Sequence, residues 1–244
     1  MTPELSTTSD QDMIASVSLQ QRLLPLADKP AGTLLIHEIY RSIQGESSYV
    51  GLPCVFVRTA VCDSRCVWCD TPHAFNQSTV LSLDDILDKV ASFQTPLVEV
   101  TGGEPLVQPE SLNLLNRLAD RGFKVLLETS GAHDVSVVDP RVHIVMDLKC
   151  PDSGECANNR WTNLAVLKSS DDIKFVIASQ ADFQWSAQTI REHHLDKRFS
   201  VLLSPVSGAV VPLDLANWLL KSGLQVRMQV QLHKIIWDPA TRGV

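Results

Sequence analysis

Cys54-Val55-Phe56-Val57-Arg58-Thr59 runs into Cys62-Asp63-Ser64-Arg65-Cys66-Val67-Trp68-Cys69-Asp70-Thr71, and the rest of the chain reads outward from this stretch. The first part is short and Val-rich, as a strand buried on both faces should be. The second is a loop with three cysteines spaced C-x3-C-x2-C, which would arise at this cysteine frequency roughly 0.4% of the time by chance. Three thiolates in a short loop can hold three irons of a [4Fe–4S] cluster. The fourth iron then lacks a protein ligand, and an open position marks a catalytic rather than a structural metal site. A zinc ribbon is the alternative. It needs a fourth ligand; His73 is close, but Cys150 and Cys156 do not form a C-x2-C pair. Three buried free cysteines are the remaining alternative.

Around this stretch, further strands are expected at Leu97 to Thr101, Lys124 to Thr129, Val142 to Asp147, Ile173 to Ile177, Ser200 to Leu203 and Gln225 to Gln231. Helices fall between several of them. Ser82 to Phe93 opens with the S-x-x-D form of a capping box and repeats apolar residues at 83, 86, 87 and 90. Pro109 to Arg121 and Pro212 to Ser222 each begin at Pro and stop before Gly. Another helix is expected at Asp182 to His194, and the stretch from Asp147 to Asp172 is expected to be loop-rich. Alternating strands and helices predict an α/β fold with a mostly parallel sheet and chemistry at the C-terminal strand ends. Thr101-Gly102-Gly103-Glu104, Glu128-Thr129-Ser130-Gly131, Asp147-Leu148-Lys149 and Ser204-Pro205 lie at such ends. A barrel and an open sheet both satisfy this pattern. Residues 1–32, Ser/Thr/Gln/Pro-rich and ending Asp28-Lys29-Pro30-Ala31-Gly32, read as a loosely ordered, flexible extension with a short helix around Gln20 to Leu24.

The 244 residues suffice for one large domain or two small ones. No apolar run approaches the roughly 20 residues of a membrane helix, and the N-terminus has neither a basic nor an apolar signal region. A cytoplasmic location is expected, and six cysteines are then poor disulfide candidates. Net charge is −7 with no Lys/Arg cluster, which argues against nucleic acid as a partner.

The cysteine spacing, with the aromatic Trp68 before its last member, resembles the signature of the radical S-adenosylmethionine superfamily. Thr101-Gly102-Gly103-Glu104-Pro105 is similar to its GGEP motif. From Leu35 to Lys234 the chain resembles one family within it, the 7-carboxy-7-deazaguanine synthases. The matching segments are Glu38 to Ser47 with Gln44-Gly45-Glu46, Gly51-Leu52-Pro53, Phe56-Val57-Arg58, Cys69 to Phe75 (CDTPHAF), Glu128 to Gly131, Asp147 to Gly154, Lys174-Phe175-Val176 and Gln231-Leu232-His233-Lys234. The chain departs from the pattern at Ser47, where Gly is usual, and at Asp63-Ser64, where Asn-Leu are common. Neither removes a ligand.

The resemblance implies a partial (β/α)6-type TIM barrel over residues 33–244. It also implies ring contraction of 6-carboxy-5,6,7,8-tetrahydropterin to 7-carboxy-7-deazaguanine with loss of ammonia, initiated by a 5′-deoxyadenosyl radical. The cofactors would be a [4Fe–4S] cluster on Cys62, Cys66 and Cys69, S-adenosylmethionine, and Mg²⁺ on Thr71. Gly102, Gly103 and Glu104 would hold the methionine amino group, and Ser130, Lys149 and Ser204 the ribose and carboxylate, unless they only satisfy strand ends. Gln44 and Glu46 suit the aminopyrimidinone edge. Arg58 suits a bidentate grip on the substrate carboxylate or a structural ion pair. Thr101 and His233 complete the substrate set. The partners implied are the pterin, an electron donor such as flavodoxin and a second copy in a homodimer, with no membrane.

Two rival activities share part of the pattern. A glycyl-radical-enzyme activating protein would carry the cysteines and a Gly-Glu-Pro strand end, but leaves Gln44-Gly45-Glu46 and His233-Lys234 unexplained. An iron–sulfur redox protein would need all four irons capped by protein.

Overall fold

A computed structural model describes residues 17–238, 241 and 243. The expected parallel strands form as β2 (Pro53–Thr59), β4 (Leu97–Gly102), β5 (Lys124–Thr129), β6 (His143–Asp147), β7 (Asp172–Ile177) and β8 (Ser200–Pro205). The run at Gln225 to Gln231 contributes only the two-residue β9 (Arg227–Met228). Two further strands lie at the N-terminal edge, β1 (Thr33–Ile43) antiparallel to β2 and β3 (Thr79–Ser82) antiparallel to β1. The nine strands run in the order β3-β1-β2-β4-β5-β6-β7-β8-β9. β3 and β9 are its edges, so the sheet is an open one consistent with a partial barrel.

β1 escapes pattern reading for a physical reason. Its apolar start, Leu34-Leu35-Ile36, is followed by a register shift between Ile36 and Glu38. Such a bulge puts one extra residue into one strand and breaks the period of two.

The crossover helices are α2 (Leu83–Ser92), α3 (Glu110–Asp120), α4 (Gln180–Glu192) and α6 (Pro212–Ser222), with the one-turn α5 (Leu195–Arg198) after α4 and α7 (His233–Ile236) near the C-terminus. The Ser82 hydroxyl accepts from the Asp85 amide at 3.1 Å and donates to the Asp85 carboxylate at 2.6 Å. The Asp85 side chain therefore bonds the Ser82 side chain rather than its amide, being one methylene shorter than the usual Glu. The stretch between β6 and β7 holds only 3-10 turns. No helix among the described residues is long and apolar enough to cross a membrane.

Residues 1–16 of the expected extension lie outside the described residues. Within the part from 17 to 32, Arg22, Leu23 and Leu26 touch the body of the fold. α1 (Leu19–Leu23) starts with a capping box between Ser18 and Gln21. Leu23 and Leu26 pack against Leu35, Ala60 and Val61, because two leucines on a short segment gain more from this contact than from solvent.

The strands alternate strictly. Val55, Val57, Val98, Val100, Val125, Leu127, Ile173 and Phe175 face the helices and belong to one buried core. Arg58, Glu99, Thr101, Glu128, Asp147 and Lys174 face the other way, into a cavity. Phe175 is 0% exposed and meets Trp185 of α4 edge-on, with centroids 6.2 Å apart. Phe175→Ala should therefore lower the unfolding free energy by about 3–5 kcal/mol, measured by urea unfolding.

Candidate active site

The cysteine loop begins two residues after β2. Val61, immediately before Cys62, has φ 71°, a conformation that a β-branched residue rarely adopts. Its carbonyl accepts from the Glu104 amide at 3.0 Å, and the Thr59 carbonyl accepts from the Gly103 amide at 3.0 Å. The end of β4 is thus pressed onto the start of the loop. A Cβ on Gly102 would collide with Thr59, and one on Gly103 with the Val61 carbonyl. The glycine pair is required by this backbone contact as well as by any ligand above it.

Cys62, Cys66 and Cys69 are free thiols on the wall of one cavity. Burial pushes all three above the usual thiol value, so metal uptake must release protons. Among the described residues, the only set of three metal-type side chains with ligand atoms all within 4.8 Å is His37, Glu38 and His73. The three sulfurs are therefore spread more widely than thiolates on a single zinc, which at Zn–S of about 2.3 Å sit about 3.8 Å apart. Three thiols spread across a loop that faces a cavity fit an iron–sulfur cluster better than one zinc ion.

The cavity, about 680 Å³, opens at the C-terminal ends of the parallel strands. Gly102, Gly103, Ser130 and Lys149 stand on its wall. Lys149 donates to Asp147 at 2.7 Å. Glu104 and Ser204 do not reach the wall. The Glu104 carboxylate accepts from the Leu106 amide, the Thr129 hydroxyl and the Ser130 amide at 2.7–3.0 Å, and so ties the end of β4 to the end of β5. The Ser204 hydroxyl is buried in β8 with no hydrogen-bond partner.

The remaining expected residues line the same cavity. The Gln44 amide is already engaged, donating to Glu99 and accepting from the Glu46 amide at 2.9 Å. It shapes the Gln44-Gly45-Glu46 turn. His233 packs so closely on Gly45 that a Cβ there would meet its ring, and the Leu232 amide donates to the Gly45 carbonyl at 3.1 Å. Arg58 donates to Glu38 at 2.9 Å and to the Tyr40 hydroxyl at 2.8 Å, leaving its second terminal nitrogen. The Thr71 hydroxyl donates to Asp70 at 3.1 Å. The Thr101 hydroxyl donates to Glu128 at 3.2 Å.

Three residues that motif reading does not single out as site residues form the cavity floor. Lys174 bridges Glu46, at 3.2 Å, and Glu128, and Glu99 lies beside them. A signal existed: each is a charged residue next to apolar ones within a strand, in Val98-Glu99-Val100, Leu127-Glu128 and Ile173-Lys174-Phe175. Burial pushes Glu99 well above the usual carboxylate range and raises Glu46 as well. Against the same burial, Lys174 holds Glu128 below that range. One cation thus serves three carboxyl groups, and burial favours the protonated form of Glu99. A carboxyl group whose value is raised on folding contributes stability that is present below the unfolded carboxylate value and is lost as pH rises. Relative to wild type, Glu99→Gln should therefore gain stability as pH rises above about 4.5. Lys174→Met should lose about 3–5 kcal/mol at neutral pH, because it strands buried carboxylates. Urea unfolding of the three proteins at several pH values checks both.

Residues 56–150 match the family model of the radical S-adenosylmethionine superfamily. The chain is 46% identical to the 7-carboxy-7-deazaguanine synthase of Chlorobaculum tepidum, over 86% of this chain and 97% of that one. It is 44% identical to the enzyme of the same name from Koribacter versatilis, over 86% and 99%. Its fold matches the crystal structure of QueE from Escherichia coli with a TM-score of 0.69 at 23% identity, over 82% of this chain and 95% of that one. The cysteine loop, the glycine pair and the two full-length likenesses agree, and the chain belongs to the 7-carboxy-7-deazaguanine synthase family of radical S-adenosylmethionine enzymes.

Proposed function

We propose that this chain converts 6-carboxy-5,6,7,8-tetrahydropterin to 7-carboxy-7-deazaguanine with loss of ammonia, a ring contraction on the route to queuosine and related 7-deazapurines. The observation that carries the reading is convergence. The cysteine loop, the Gly102-Gly103 strand end and the charged strand faces open onto one cavity, in a chain 46% identical to a synthase of that name. A volume of about 680 Å³ falls within the roughly 300–1,000 Å³ of small-molecule sites and gives room for a nucleoside cofactor beside a bicyclic substrate.

Cys62, Cys66 and Cys69 would hold a [4Fe–4S] cluster, which when bound supplies the electron that splits S-adenosylmethionine and so starts hydrogen abstraction from the pterin. The chain's own residues bind, orient and keep water out. Gly102 and Gly103 offer backbone groups to the methionine end, while Ser130 and Lys149 offer a hydroxyl and an ammonium to the ribose and carboxylate. Glu46 and Glu128, on either side of Lys174, can accept from the amino and ring N–H groups of the pterin. Arg58, with a terminal nitrogen beyond those bonded to Glu38 and Tyr40, would grip the substrate carboxylate. Burial holds the His233 imidazole below its usual value, so it is neutral at pH 7 and can accept a proton at its ring. Thr71 presents a hard oxygen that suits Mg²⁺ together with substrate oxygens and waters. Trp237 also lines the cavity. A flavodoxin-type electron donor, a homodimeric assembly and a cytoplasmic location belong to the same reading.

Anaerobic reconstitution followed by mass analysis with the carboxy-tetrahydropterin tests the function. Wild type should form 7-carboxy-7-deazaguanine and carry label from C6 of the pterin into 5′-deoxyadenosine. Ala at Cys62, Cys66 or Cys69 should abolish iron binding and product, while Ala at Cys54, Cys150 or Cys156 should keep the iron. Full iron in Cys66→Ala, or no label transfer in wild type, rejects the assignment. Thr71→Ala should raise the Mg²⁺ needed for half-maximal turnover roughly tenfold while leaving iron content unchanged, with Thr71→Ser much milder because it keeps the oxygen. A Mg²⁺ titration of all three proteins reads this out.

A further inference from the structure

The N-terminal helix α1 lies against the loop that carries the three cysteines, and nothing in the proposed reaction uses it. The Arg22 guanidinium spans the junction, donating from Nε to the Val17 carbonyl at 2.8 Å and from a terminal nitrogen to the Asp63 carbonyl at 2.7 Å. From within the loop, Arg65 donates to the carbonyls of Cys62 and Ser64 at 2.8 and 2.7 Å, and its guanidinium lies 4.0 Å from the centre of the Phe75 ring. Three successive carbonyls, 62 to 64, are thus held by two guanidinium groups. Beneath them, Leu23 and Leu26 pack on Ala60 and Val61. Val61 is the residue with φ 71°, and strain of this kind persists only where the surroundings enforce it. On the opposite flank the Asp63 carboxylate meets Nε2 of His133 at 2.8 Å.

We propose that residues 17–26 form a brace that holds the cysteine loop in its metal-receiving shape, with Arg22 as the positioning residue acting through the Asp63 carbonyl. The proposal rests on the assignment of Cys62, Cys66 and Cys69 as cluster ligands. Loss of iron requires a thiolate to swing away, and so requires local opening of the loop. Local opening is governed by the contacts that pin a segment, not by the stability of the whole domain. Arg22 is well suited to this because one rigid planar group reaches two carbonyls at once. One charge-assisted hydrogen bond lost with the side chain corresponds to roughly a tenfold change in the opening equilibrium.

Two measurements test the brace. The first is the rate of iron transfer to a ferrous chelator from anaerobically reconstituted protein. The second is amide hydrogen exchange across residues 60–66 in the metal-free protein. Arg22→Ala should speed both by about tenfold while the melting temperature of the metal-free protein stays unchanged. Leu23→Ser combined with Leu26→Ser should have the same effect by releasing Val61. Arg22→Lys should fall between, since an ammonium can reach the Asp63 carbonyl without also holding Val17. Equal iron release and equal exchange in wild type and Arg22→Ala overturn the proposal. If wild type takes up no cluster, the cysteine assignment fails instead, and exchange in the metal-free protein still decides whether the brace exists.

Discussion

The contact between the end of β4 and the start of the cysteine loop is the constraint on which the site depends. Gly102 and Gly103 approach the backbone of Thr59 and Val61 so closely that neither can carry a side chain, and the Gly103 and Glu104 amides hydrogen-bond across the gap. This contact turns the chain sharply at Val61 and projects Cys62 over the strand ends. The Glu104 carboxylate then ties the same corner to Thr129 and Ser130 of the neighbouring strand. Parallel packing of β2, β4 and β5 is what brings these three corners together.

A second constraint runs along the inner face of the sheet. Each strand gives its apolar side chains to the helices and its polar ones to the cavity, so the core that stabilises the fold and the site that carries its chemistry share the same backbone. Burying three carboxyl groups around one lysine opposes folding. The opposition is limited by the upward shift of Glu99, which favours its neutral form, and by the short reach from Lys174 to Glu46 and Glu128. An arrangement with that cost is expected where binding, rather than stability, is the gain. It also makes the Gln44-Gly45-Glu46 turn part of the same network, through Gln44 and Glu99.

Much of this was legible beforehand. The parallel strands β2 and β4 to β8 fell where short Val-rich runs placed them, because each is bounded by turn residues and buried on the helix side. The helices α2, α3 and α6 were marked by Ser, Pro and Gly at their ends, whereas α4, expected at Asp182 to His194, runs two residues earlier at each end. The antiparallel β1 was not legible, since its bulge breaks the period of two, and β9 was overestimated because an alternating run says nothing about how long a neighbour accompanies it. The N-terminal segment, polar in composition, gave no sign that two of its leucines would find a pocket beside Val61.

The cysteine spacing, the glycine pair and the local motifs determined the family and its cofactor chemistry, because those depend on residues adjacent in the chain. Which of the marked residues line the cavity was decided only by the tertiary structure. Glu104 and Gln44, both prominent in motifs, spend their polar atoms on backbone and on Glu99, whereas Lys174, Glu128 and Glu99 meet from three separate strands to form the floor. The reason is that a side chain's partners are set by its strand's face and neighbours, and strand order brings together residues far apart in the chain, as with Glu46 and Lys174, 128 positions apart, a distance that no local pattern spans.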